Sequence, residues 1–163
     1  FNIITKRLHL YPYQQLYFSR FRYGSLLPLF PEKTKERISC TGSEQVLLVT
    51  GIASPAPLVE EVESYTPNVN LLEFGDHHDF GEKDLQLIEE QFARLKEGNR
   101  LIITTEKAAT RRKNHPALSE TLKPYIYVLP IEIEFLQNQQ YIFNQNIIGY
   151  VRTYSRNRSL SER

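Results

Sequence analysis

The sequence predicts an open, mainly parallel α/β sheet flanked by helices, a Rossmann-like three-layer arrangement. Three observations predict it. Short apolar, β-branched runs recur at 45–50, 69–74 and 100–105. The stretches between them carry apolar residues at three- and four-residue spacing, and glycine or proline marks several of the joins. Strands that alternate with amphipathic helices favour a parallel sheet with crossovers over a sandwich.

Residues 1–40 are the least regular. Tyr11 to Phe30 is rich in aromatics and reads as one or two edge strands around Gly24, and EKTKER (32–37) as a solvated connection. The β–α core is expected over 41–136. It opens with QVLLVTGIASP (45–55), an apolar run entering a turn at Gly51. A proline-started helix follows, with Leu58, Val62 and Tyr65 on one face. VNLLEF (69–74) is the next strand, and the helix after it carries Leu85, Ile88, Phe92 and Leu95 at helical spacing. Gly98 is a good stop for that helix. RLIITT (100–105) is a third buried strand. YIYVLPIEIEF (125–135) supplies at least one more, interrupted at Pro130, which cannot donate to a ladder. Residues 137–163 are expected to form a terminal helix with Phe143, Ile147, Val151 and Tyr154 on one face, then a basic tail.

At 163 residues the chain fits a single α/β domain, 1–163, with a sizeable core. It has no methionine, and a bulky Phe1 is a poor residue to follow a processed start methionine, so the chain is expected to be a fragment of a longer protein. Twenty basic and nineteen acidic residues leave no net field that demands nucleic acid or an anionic membrane, and no nucleic-acid partner is expected. The single cysteine, Cys40, excludes an internal disulfide framework and thiol-pair zinc sites, and fits a reducing compartment. No apolar run reaches membrane-spanning length and residues 1–10 lack a signal-peptide pattern, so the piece itself is expected to be soluble.

Ligands of open parallel sheets gather at the carboxyl ends of the strands, where loops and helix N-termini converge. Three polar motifs fall there: TGIASP (50–55), FGDHHDF (74–80) and TTEKAATR (104–111). Gly51 serves either a tight turn before a helix or a loop whose backbone N–H groups face an anion. In FGDHHDF, His77 and His78 stand between Asp76 and Asp79, a pattern open to a polar turn, a metal site or acid–base chemistry. Adjacent histidines in a strand point to opposite sides, which argues against a shared metal, and none is expected in this fragment. Imidazole titrates near neutral pH, which suits an acid–base or hydrogen-bonding role for one histidine. Glu106 and Lys107 are either a solvated ion pair or place a cation toward phosphate. The chain has no GxxxxGK[ST], GxGxxG or GxSxG, so by itself it cannot hold a nucleotide in the P-loop manner.

LLVTGIASPAPLVEEV, FGDHHDFGEKDL and IITTEKAATR, in this order and at these separations, resemble the C-terminal half of the tetraacyldisaccharide 4'-kinase family, the lipid A 4'-kinases, over about residues 46–112. The resemblance implies the C-terminal lobe of a P-loop-type kinase. Its activity would be transfer of phosphate from ATP, with Mg2+, to the 4'-hydroxyl of the tetraacyldisaccharide-1-phosphate lipid A precursor. The full-length protein would touch the membrane peripherally at the cytoplasmic face of the bacterial inner membrane. The phosphate loop, the magnesium-binding acidic residues and a membrane-inserting helix would lie in the N-terminal half, so the fragment alone is expected to be inactive. His77 corresponds to the histidine that supports a catalytic aspartate from the other half, and such a bond would orient the base that takes the sugar hydroxyl's proton. Asp76 would orient His77 or cap the following turn, and His78 would be secondary. Gly51, Glu106 and Lys107 would contact nucleotide or substrate. The family's third motif commonly reads TEKDA, whereas Ala108 stands here at the aspartate's place.

Two other classes fit the residues. A stand-alone α/β binding or regulatory domain would make His77 a polar turn residue. The tail RTYSRNRSLSER, with Arg152, Arg156, Arg158 and Arg163, is either a contact for lipid head groups or RNA or a solvated end.

Overall fold

The computed structural model describes residues 1–34, 40–76, 78–112 and 115–161, without the side chains of 111, 112 and 155–161. In chain order its elements are α1 (Asn2–Arg7), β1 (Ser19–Tyr23), β2 (Leu27–Pro28), β3 (Gln45–Thr50), α2 (Ala56–Tyr65), β4 (Val69–Glu73), α3 (Glu82–Ala93), β5 (Arg100–Thr104) and α4 (Glu106–Arg112). A 3-10 turn (Lys123–Tyr125), β6 (Ile126–Val128), β7 (Ile131–Phe135) and α5 (Gln140–Ser161) complete the chain. Contacts divide into two compact units, Tyr23–Glu132 on the one hand and Phe1–Arg22 with Ile133–Arg163 on the other.

The first unit holds a five-stranded sheet in the order β2-β6-β5-β3-β4. β3 pairs in parallel with β4 and β5, β5 pairs in parallel with β6, and the short β2 runs antiparallel along β6. β3 lies inside the sheet, between β5 and β4, because Val46, Leu47, Leu48 and Val49 are apolar without interruption, and only a strand covered on both faces buries such a run. Alternate residues part to opposite sides. Val46 and Leu48 pack with Leu101, Ile103, Leu58 and Val62, which seats α2 on one face. Leu47 and Val49 pack with Ile102, Leu85, Ile88 and Phe92, which seats α3 on the other. Burying each such side chain stabilises the fold by about 1.5–3 kcal/mol. The α/β architecture, with helices on both faces of a mixed but mostly parallel sheet, is the one the alternation predicts.

Several details differ from the sequence expectation. α3 stops at Ala93, with the Arg94 N–H returning to the carbonyls of Glu90 and Phe92. Gly98, expected to end that helix, instead takes φ +125 in the turn leading into β5, a conformation that disfavours any side chain. α1, α4 and the 3-10 turn have no counterpart in the expected elements. The aromatic segment 11–30 does form two strands around Gly24, but in different sheets, and Pro130 likewise separates β6 from β7.

The second unit contains the two-stranded β1–β7 ribbon, α1 and α5. Arg20 Nε donates to Glu134 Oε2 at 2.7 Å across the ribbon, and this bond holds the Glu134 carboxyl below the usual carboxylate range. The ring of Phe143 lies 4.7 Å from Phe135 and 5.2 Å from Tyr17. Those contacts fasten the first turn of α5 to the ribbon.

Candidate functional site

Parallel pairing sets the loops after β4, β3 and β5 side by side at one edge of the sheet. The Phe74 N–H donates to the Thr50 carbonyl at 2.8 Å, so the chain leaves β4 alongside the turn that leaves β3. Gly51 permits this approach: a Cβ there would sit 3.4 Å from the Gly75 carbonyl oxygen and 3.9 Å from Phe74 Cβ. A Cβ at this position would be in ordinary van der Waals contact with the neighbouring loop.

The third loop joins them through a side chain. Lys107 Nζ, on α4, donates to Asp76 Oδ1 at 2.9 Å, with both groups half-exposed. Because β3 lies between β4 and β5, this ion pair reaches over the end of β3, across about two strand spacings or roughly 10 Å of sheet. His77 lies outside the described residues. Its neighbours on both sides are tethered, Asp76 by Lys107 and His78 by a contact set of its own. His78 Nε2 is 2.9 Å from Asp84 Oδ2, and the His78 N–H donates to the Gly75 carbonyl at 3.1 Å. The imidazole stacks on Phe74 at 5.1 Å and meets the Phe80 ring edge-on at 5.2 Å.

Asp84 is the residue that sequence reasoning missed. It is the third residue of α3, and its Oδ2 also accepts the Gly81 N–H at 2.8 Å, closing the helix N-terminus. Burial alone would raise its carboxyl, but the bonds from Gly81 and His78 outweigh it and hold the carboxyl below its ordinary value. The signal was present in GEKD (81–84), an acidic residue three positions beyond a glycine that opens an apolar-periodic run.

Glu106 and Lys107 face different neighbours. Glu106 lines an open cleft of about 390 Å³ with Leu27, Pro28, Pro31 and Thr110, on the β2 side of the sheet. Ala108, at the position where an aspartate was expected from the resemblance, is buried. Two further hydroxyls lie at the same edge: Thr50 Oγ1 and Thr105 Oγ1 are buried and have no hydrogen-bond partner among the described residues. Thr104 Oγ1, by contrast, donates to the Val49 carbonyl at 2.8 Å. Among the described residues no group of three or more His, Cys, Asp or Glu is placed to hold a metal ion. No described helix is long and apolar enough to cross a membrane.

A mostly parallel sheet with helices on both faces and three polar loops joined at its carboxyl edge defines a three-layer α/β domain, and ligands of such domains gather at that edge. Residues 12–148 match the family described as tetraacyldisaccharide-1-P 4'-kinase, and the chain belongs to that family. A tetraacyldisaccharide 4'-kinase of Bacteroides thetaiotaomicron is 58% identical over 171 residues, covering 100% of this chain and 45% of the relative. The Bacteroides fragilis protein of the same name is 57% identical over 167 residues, covering 100% and 44%. That of Phocaeicola vulgatus is 49% identical over 161 residues, covering 98% and 44%. The chain thus spans less than half the length of these curated relatives. Among solved structures none matches significantly.

Proposed function

We propose that this chain is the C-terminal part of a kinase that transfers the γ-phosphoryl group of ATP to the 4'-hydroxyl of the tetraacyldisaccharide-1-phosphate lipid A precursor. The observation that carries the reading is 49–58% identity, sustained over essentially the whole chain, to proteins named tetraacyldisaccharide 4'-kinase. In this reading ATP and Mg2+ are held mainly by the N-terminal half, since the chain's own strand-end loops contain no phosphate loop. The full-length protein works in peripheral contact with the cytoplasmic face of the inner membrane, where its lipid substrate resides.

Phosphoryl transfer leaves a protein mostly positioning and charge neutralisation to perform. His77 is assigned as a positioning residue that hydrogen-bonds an aspartate base of the N-terminal half. The anchoring of both its neighbours supports this: Asp76 is fixed through Lys107, and His78 through Asp84. Lys107 serves as the clamp of this turn, and Gly51 allows the first loop to close against it.

The test uses full-length protein with ATP and the tetraacyldisaccharide-1-phosphate. His77→Ala is expected to lower kcat by about 10- to 1000-fold and to leave KM for ATP much less affected. The loss should overlap with that of the base-aspartate variant, because partners that act as one unit are not additive. An unchanged kcat, or a rise confined to KM for the lipid, overturns the role of His77. The 163-residue chain alone is expected to be inactive, and saturable kinase activity from it would overturn the division of labour.

A further inference from the structure

α5 runs for 22 residues, and from Gln140 to Tyr154 every side chain except Phe143 is exposed. Ile147, Tyr150, Val151 and Tyr154 continue the stripe that Phe143 begins, and they are 49%, 69%, 54% and 62% exposed. The apolar character is not confined to that stripe, for Tyr141, Ile142 and Ile148 are exposed at other angles around the helix. Within the same stretch Arg152 is the sole charged residue; the remaining polar positions are neutral Asn, Gln and Thr. A helix whose apolar residues spread well beyond one stripe is suited to cover on more than one face. Gly149 adds an independent sign. A mid-helix glycine costs about 1 kcal/mol relative to alanine, and nothing lies within 4 Å of where its Cβ would stand, so no neighbour among the described residues calls for it.

We propose that α5 is an internal docking helix, sheathed in the full-length protein by the N-terminal half that this chain lacks, with Gly149 at a point of close backbone approach. The proposal rests on the reading of this chain as part of a longer kinase. More than half of each matched relative lies outside the aligned region, which is body enough to enclose a helix from several sides. The other segment of the same unit presents apolar surface as well, through Ile3, Ile4, Leu8, Tyr11 and Tyr13. A lipid surface fits less well, because a helix lying on a bilayer pairs its apolar side with a strongly charged, basic face. Residues 140–151 contain no charge at all, and the basic residues of α5, Arg152, Arg156 and Arg158, lie beyond that stretch toward its C-terminal end.

The experiment uses full-length protein with Cys40 and any other native cysteine replaced by serine and carrying Tyr150→Cys or Val151→Cys, probed with a soluble maleimide in the native state and in urea. Native labelling slower by about 30-fold or more is expected, as for sites reached only through opening of the structure, and any smaller slowing overturns the proposal. The slowing should be independent of protein concentration and of added anionic vesicles. Protection that appears only on dimerisation, or only with vesicles, overturns it in favour of a second copy or of lipid. Amide exchange over residues 143–154 in the unaltered protein should show matching protection, with no substitution needed. Kinase activity measured on the same samples separates the two readings, since α5 can label freely in an active kinase and stay protected in an inactive protein.

Discussion

Asp84→Ala removes two contacts at once. The carboxylate that closes the N-terminus of α3 on the Gly81 amide is lost, a contact worth about 0.5–2 kcal/mol. The His78 bond goes with it. Its two side chains are 35% and 23% exposed, so solvent screens it to about 0.5–1 kcal/mol. Together the expected loss is about 1–3 kcal/mol, read as a lower urea midpoint with an unchanged slope. Asp84→Asn keeps an acceptor for Gly81 and should lose less. A cycle with His78→Ala should give a coupling of about 0.5–1 kcal/mol. The pH dependence follows from the lowered carboxyl. The unfolded chain binds the proton more readily than the folded one, so this stabilisation is complete above the ordinary aspartate value of 3.8 and fades as pH falls through the lower folded value. The gap between parent and variant should therefore close in acid. An unchanged urea midpoint, a coupling near zero, or a gap insensitive to acid would refute the assignment of Asp84 as anchor of the His78 turn.

Three other substitutions separate structural from site roles. Thr50→Val and Thr105→Val remove buried hydroxyls that have no partner among the described residues, so each should be neutral or stabilising by up to about 1 kcal/mol in thermal unfolding; a loss above that size would mean the hydroxyl is satisfied in solution. Lys107→Ala breaks a half-exposed ion pair and should change stability by less than about 1 kcal/mol, while on the proposed function kcat of the full-length protein falls because the Asp76 turn loses its tether to α4. Parental kcat in that variant would leave Lys107 a surface residue.

The central layer was legible because its signals are local. Val46 to Val49 must be buried on both faces, and Leu85, Ile88 and Phe92 repeat at helical spacing, so β3 and α3 stood out. α4 escaped notice because seven residues with two small buried alanines carry no apolar stripe. Gly98 misled because a glycine after a helix serves a cap or a later turn equally well. The three site loops were legible as strand ends, but their links were not. Asp76 and Lys107 lie far apart in sequence, and only the order β5-β3-β4 brings them within reach. Pairing of β1 with β7 joins opposite ends of the chain, which no local pattern encodes.

That strand order also bears on when the site comes into being as the chain folds. Val46 pairs with Val69 across one short crossover and with Leu101 only across a much longer one. The β3–β4 pair therefore closes the smaller loop at lower entropic cost, and β5 must find β3 afterwards. Lys107 follows β5 directly, so it meets Asp76 only once β5 has docked. The turn at Asp76 thus gains its link to α4 only once the sheet is assembled.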